Sequence, residues 1–198
     1  RKPRNQQEYE EKIQFCISEV DRLNHMVDQL LLLARFENQK QNVKQESIYL
    51  NALILDNLTR FSDKTESKNL KIKADFTDDY YIQSENYLVS IIFSNLISNA
   101  IKYSYDNGEI VLQLEKTSTE IIFTVSDNGI GISEQDLNKI FNSFYRSDVS
   151  NHPEIKGTGL GLSIVKRLCD LLKLEIAVES NLNKGTKFVL NFPLSKLK

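Results

Sequence analysis

The chain has 198 residues, of which 40% are hydrophobic and 26% charged, with a net charge of -2 at pH 7. That length allows one well-cored domain with an appended element, and the composition is that of an ordinary globular protein. Near-neutral charge lacks the cationic field with which nucleic-acid binders release counterions, and the longest apolar runs fall far below the roughly 18 residues of a membrane-spanning helix, so neither nucleic acid nor a bilayer is an expected partner.

In chain order, Tyr9, Ile13, Cys16, Val20, Leu23, Val27, Leu30 and Ala34 recur at alternating steps of four and three, the spacing of a coiled-coil seam. Ile17 and Leu31 widen the seam into the stripe of a bundle helix, which must pack on at least two neighbours. Residues 37–46 are polar without period and read as a linker. Residues 49–61 have helical spacing through Leu50, Leu53, Ile54 and Leu58, and residues 70–76 alternate as a strand. After Ser84 a helix is expected over 85–103, followed by paired strands at 109–114 and 120–126, with the nearest upstream turn signal at Asp106-Asn107-Gly108. A helix at about 160–172 and two strands, 174–179 and 186–192, joined around Asn183-Lys184-Gly185, complete an α+β domain of helices and largely antiparallel sheet. Cys16 and Cys169 fall in apolar helical patterns without metal-ligand spacing, and are expected as packed free thiols in a reducing compartment. No succession of signal-peptide type opens the sequence.

Glycine is scarce, seven in all, so its placement is informative. Asp127-Asn128-Gly129-Ile130-Gly131-Ile132 follows an expected strand and sets a carboxylate at its end. Gly157-Thr158-Gly159-Leu160-Gly161-Leu162 leads into a helix, where free backbone amides and the positive end of the dipole suit phosphates. It is neither a dinucleotide fingerprint, having no preceding strand or ribose-binding acid, nor a Walker loop, having no Gly-Lys-Ser/Thr. Taken singly, either cluster could be a plain turn, and Asp127 could simply cap Asn128-Gly129. Asn95, Asn99, Lys102 and Tyr103 follow at steps of four, three and one, which puts the two amides and the lysine along one helical face. Such a stripe is costly inside a core unless a ligand or metal satisfies it, although solvated asparagines are the commoner case.

Taken together, these segments resemble the sensor histidine kinases, within the ATPase superfamily shared with DNA gyrase, the heat-shock chaperone and mismatch-repair ATPases. Residues 95–104, Asn-Leu-Ile-Ser-Asn-Ala-Ile-Lys-Tyr-Ser, look like the N box, and 127–132 like the G1 box. Phe141-Asn142-Ser143-Phe144-Tyr145-Arg146 is similar to the F box, 157–162 to the G2 box and Lys184-Gly185-Thr186 to the last glycine motif. The resemblance implies a two-layer α/β sandwich of the histidine kinase/gyrase type, preceded by one long coiled-coil-like helix. Residues 1–40 would be part of the second helix of the dimerisation and histidine phosphotransfer bundle, and 41–198 the ATP-binding catalytic domain.

The same resemblance implies ATP and Mg²⁺ as cofactors. Asn99 would ligate Mg²⁺ with Asn95 in support, and Lys102 would neutralise phosphate charge. Asp127 would accept from the adenine amino group, with Thr186 sharing a bridging water, and Tyr103 would line the pocket. Gly129 and Gly131, and Gly157 and Thr158, are counted with the nucleotide site, the amides of Gly159, Leu160, Gly161 and Leu162 would cradle phosphates, and Arg146 would offset charge on the transferring group. Phe141 and Phe144 are expected in the core, and residues 145–156 as a lid ordered by nucleotide. Hydrolytic relatives carry a glutamate where Asn95 stands; an amide cannot take up a proton, which favours transfer over hydrolysis.

His25 lies between Leu23 and Val27, off the seam, and Met26 stands where the family's phosphoacceptor has an acidic residue and then a proline. The acceptor and its acidic neighbour are therefore expected on a helix upstream of Arg1, and His152 is read as a solvent-exposed lid residue. The implied partners are that helix, a second copy in a homodimer and a response regulator receiver domain. The implied setting is the cytoplasmic part of a membrane-anchored sensor, without direct membrane contact from these residues.

Overall fold

The computed structural model describes residues 9–10, 12–17, 19–20, 23–24, 27, 31, 44–147, 155 and 157–194. The chain divides into two compact units, residues 1–39 and 40–198. In the first, every described residue between 9 and 31 is helical (α1). Its apolar side chains are open to solvent, with Tyr9, Ile13, Val20, Leu23 and Val27 each more than half exposed. Cys16 is exposed too, against the expectation of a packed thiol, whereas Cys169 is buried, and both are free. The seam residues Leu30 and Ala34, His25 and most of the expected linker lie outside the described residues.

The second unit is built on a five-stranded sheet of order β2-β4-β5-β7-β6, from β2 (Lys71–Phe76), β4 (Glu109–Lys116), β5 (Glu120–Asp127), β6 (Glu175–Asn181) and β7 (Gly185–Pro193). β2 pairs with β4 in parallel, and all other pairs are antiparallel. Alternation along β4, β5 and β7 buries Ile110, Leu112, Leu114, Ile121, Phe123, Val125, Phe188, Leu190 and Phe192. Helices α2 (Leu50–Thr59), α4 (Asn86–Tyr103) and α6 (Gly161–Leu172) cover that face, α4 packing on α2, α6 and β5. The result is the expected two-layer α+β sandwich.

The central helix α4 starts where the Glu85 carboxylate accepts from the Leu88 amide at 2.7 Å, a side-chain cap that satisfies one orphan donor. It runs 18 residues with Leu88, Val89, Ile92, Phe93, Leu96, Ile97, Ala100 and Ile101 buried. Phe93 meets Phe123 at a centroid distance of 4.6 Å and Phe192 edge-on at 6.2 Å, which fixes the helix against the sheet. That packing leaves Asn95, Asn99, Lys102 and Tyr103 half-buried on the side away from Phe93.

Four short elements are additional to those expected from sequence. Strand β1 (Glu46–Tyr49) pairs with β3 (Tyr81–Ser84), and the short helices are α3 (Ser62–Ser67) and α5 (Glu134–Leu137). Glu46, expected in the linker, therefore begins a strand. Asp106-Asn107-Gly108 turns α4 into β4, with Asn107 at φ 59°, while β4 and β5 are joined at 117–119, where the Thr117 hydroxyl accepts from the amides of Thr119 and Glu120.

Candidate functional site

The end of β5 delivers Asp127 to a cleft whose walls also include Asn99, Tyr103, Gly131, Arg146, Leu162 and Thr186. Its free space, open solvent at the mouth included, is about 560 Å³. Apolar surface comes from Ile130, Ile132, Ile140 and Phe188. Burial pushes the Asp127 carboxyl up to about 6, and the backbone amides of Gly129 and Thr186, both donating to it, hold it partly back. The Gly129 amide reaches Oδ1 at 2.9 Å. An acceptor of this kind, fixed by two amides at the bottom of an apolar cleft, suits a flat heterocycle carrying an amino group.

The helix α6, whose Leu162 also lines the cleft, begins at Gly161 with no side-chain cap and no acidic residue in its first turn. Its leading amides have no intrahelical acceptor, so they and the positive dipole end are left for an anion. Two glycines bring this segment against α4. A Cβ on Gly157 would lie 2.3 Å from Lys102 Nζ, and one on Gly161 would lie 2.7 Å from Asn95 Oδ1. Lys102 and Asn95 thus sit outside the cleft wall itself but directly against the G2 segment. The Asn95 amide nitrogen donates back to Ile91 O at 2.8 Å, which turns its oxygen toward Gly161. Lys102 Nζ stands 3.3 Å from the Tyr103 hydroxyl and 4.7 Å above its ring, and burial raises the Tyr103 pKa while Arg146 opposes that rise.

Several expected roles take a different form. Gly129 is not on the cleft wall: a Cβ there would lie 2.0 Å from Tyr103 O, so its bareness lets the strand end pack on the C-terminus of α4. Gly131, at φ 66°, faces Asn181 O in the same way, although its backbone lines the cleft. The Leu160 amide, expected free for phosphate, donates to the Thr158 hydroxyl at 3.2 Å. Arg146 donates to Ile155 O and to Gly157 O, tying the F box to the G2 segment. Phe144 is not in the core: it is 63% exposed at φ 65°, because its amide turns to Gly159 O at 2.9 Å and carries the ring outward. Phe141 is half-buried. His152 and most of the expected lid lie outside the described residues.

Two polar groups escaped the sequence reading. The Ser180 hydroxyl accepts from the Ile132 amide, donates to Gly185 O and meets the Thr186 hydroxyl, at 2.8, 2.8 and 2.9 Å, so it fixes the floor beside Asp127. The Tyr145 hydroxyl donates to Asp136, whose second oxygen accepts from Ser133, closing one side of the cleft. Ser180 belongs to no motif that marks it in advance, and the F box contains Tyr145 without indicating its bond to Asp136. Gly129→Ala is expected to destabilise the domain by roughly 1–3 kcal/mol through backbone overlap rather than through lost ligand contact. A shift of the denaturation midpoint measures it, and an unchanged midpoint would contradict the packing role.

Residues 84–196 match the family described as "Histidine kinase-, DNA gyrase B-, and HSP90-like ATPase". The chain is 35% identical over 182 residues to "Sensor protein RprX" of Bacteroides fragilis (strain YCH46), covering 90% of this chain and 35% of RprX. It spans between 29% and 54% of the length of curated relatives such as RprX, GraS of Staphylococcus aureus and WalK of Bacillus subtilis. Among solved structures, full-length ShkA in complex with AMPPNP superposes with a TM-score of 0.80 at 22% identity, over 98% of this chain and 40% of ShkA. Histidine kinase ThkA, solved with response regulator protein TrrA, gives 0.77 at 23% identity, over 99% and 54%. At these identities the structural likeness speaks to the fold.

Proposed function

The chain belongs to the histidine kinase-, DNA gyrase B- and HSP90-like ATPase family, and on that premise we propose that it is the ATP-binding catalytic part of a sensor histidine kinase, which transfers the γ-phosphate of ATP to a histidine. The observation that carries this reading is the meeting, in one cleft, of the desolvated Asp127 carboxylate and the uncapped first turn of α6, which reaches the cleft through Leu162. Asp127 takes the adenine amino group, with Thr186 beside it, and Tyr103 and the isoleucines enclose the base. The amides at the start of α6 and Lys102 take the phosphates. Such a site catalyses phosphoryl transfer by positioning and electrostatics rather than by covalent chemistry. Asn95, an amide where a hydrolase needs a base, favours transfer to histidine over transfer to water.

Asn99 is the residue suited to Mg²⁺. It lies on the cleft wall, and its side chain makes no hydrogen bond among the described residues. No cluster of three or more His, Cys, Asp or Glu able to hold a metal occurs among the described residues. Mg²⁺ keeps several waters and takes few protein ligands beside substrate phosphates, and an asparagine amide oxygen serves as one such ligand in phosphotransferases. When bound, the ion would neutralise charge on the phosphates. Calorimetry with and without Mg²⁺ tests this: Asn99→Ala is expected to lose roughly tenfold or more of Mg-ATP affinity while retaining metal-free ATP binding. An unchanged Mg²⁺ dependence would remove Asn99 from the metal site.

Residues 1–40 then form part of the dimerisation bundle. The half-exposed apolar side chains of α1 support a partner helix, drawn from a second copy and from an acceptor helix outside these residues. A receiver domain is the proposed phosphate recipient, as TrrA is the response regulator solved with ThkA. No helix among the described residues is long and apolar enough to cross a membrane. The proposed setting is the cytoplasmic side of a membrane-anchored sensor, where ATP is available.

A further inference from the structure

A helix end leaves its last main-chain carbonyls without intrahelical partners, and at the C-terminus of α4 each can be accounted for. Ala100 O accepts from the amide of Ser104 at 3.1 Å and from its hydroxyl at 2.7 Å. Tyr103 O accepts from the Ile130 amide at 3.1 Å. The other two, Ile101 O and Lys102 O, accept from one ammonium, that of Lys68, at 3.2 and 2.9 Å, and the same ammonium reaches Ser104 O at 2.8 Å. An ammonium has three protons, so all of its donor capacity is spent on this one helix end.

Lys68 is half-buried just past α3, and its own backbone is anchored, because the Asn107 backbone amide donates to Lys68 O at 2.8 Å and the side-chain Nδ2 of neighbouring Asn69 donates to Asn107 Oδ1 at 2.7 Å. The last turn of α4 is therefore clamped between the G1 backbone on one side and Lys68 on the other. That turn carries Lys102, whose ammonium lies against Gly157, and Tyr103, which lines the cleft.

We propose that Lys68 is a positioning residue of the nucleotide site: by closing the C-terminus of α4 it orients Lys102 toward the phosphates. The inference rests on the ATP-site reading above. It assigns Lys68 an effect that grows with the number of phosphates on the ligand, which a lysine acting only on fold stability would not produce.

The test is calorimetric titration of ATP, ADP and AMP into wild type, Lys68→Met, Lys102→Met and the double variant. Lys68→Met is expected to weaken ATP about tenfold, a size ordinary for coupled neighbours, with a smaller loss for ADP and none for AMP. On the Lys102→Met background the further loss should largely disappear. Lys68→Arg should restore most of the ATP affinity, because a guanidinium offers several donors to the same carbonyls. If Lys68→Met does not fold, Lys68→Gln carries the same comparison. ATP failing to bind wild type would refute the site itself. Wild-type binding together with unchanged ATP affinity in a folded Lys68 variant, equal losses for ATP and AMP, or a full loss on the Lys102→Met background would each overturn the role of Lys68.

Discussion

Titration of Asp127→Ala with ATP is expected to show binding weaker than wild type by roughly 1.5–3 kcal/mol, a tenfold to hundredfold rise in Kd, since a buried charged hydrogen bond to the base is lost. The same carboxyl gives the effect a pH signature. Its folded pKa of about 6 lies above the ordinary 3.8 because burial disfavours the charge. ATP affinity in wild type should therefore rise as pH climbs through about 6 and the carboxylate becomes the better acceptor. Asp127→Asn should lack that component, which separates it from titration of the phosphates themselves. For stability the sign is reversed. A raised folded pKa contributes stability that is fully present below the unfolded pKa and is lost as pH rises through the folded one. Across the window from 3.8 to about 6, the ligand-free domain should lose up to about 3 kcal/mol on this account, and Asp127→Asn should flatten that slope. Equal ATP affinity in wild type and Asp127→Ala would leave the cleft without its adenine contact.

The parts of this molecule legible from sequence are those in which one physical signal dominates. α4 is long and apolar on one face, so its register and polar stripe follow from periodicity, and the structure brings Asn99 and Tyr103 to the cleft and Asn95 and Lys102 to the G2 segment. Strand β4 alternates over Glu109–Leu114 and β7 from Thr186 onward, and β5 alternates in its apolar residues although Thr124 is buried as well. β1 and β3 have four residues each, too few to establish a period, and are held by each other and by the Tyr49–Tyr81 ring stack. Gly129 and Gly185 stand out because glycine is rare, but the reason for each is a neighbouring carbonyl, Tyr103 O and Asp127 O respectively. Scarcity marks a close approach without saying what approaches. Phe144 has the hydrophobicity of a core residue and is turned out by a backbone bond to Gly159. Ser180 and Lys68 act through contacts distant in sequence, which no local pattern encodes.

The second large effect separates nucleotide binding from phosphoryl transfer. Of the two histidines of the chain, His25 lacks the neighbouring acid and proline of an acceptor and His152 falls in the expected lid rather than on a bundle helix, so the chain should bind ATP yet carry no phosphohistidine. Incubation with γ-labelled ATP tests the central claim most directly, comparing this chain with His25→Ala and with a version extended through the segment upstream of Arg1. The account predicts acid-labile label on the extended protein alone, lost there when Asn99 is replaced by alanine. Acid-labile label on the present chain that vanishes in His25→Ala, or an extended protein that binds and hydrolyses ATP without ever becoming labelled, would contradict it.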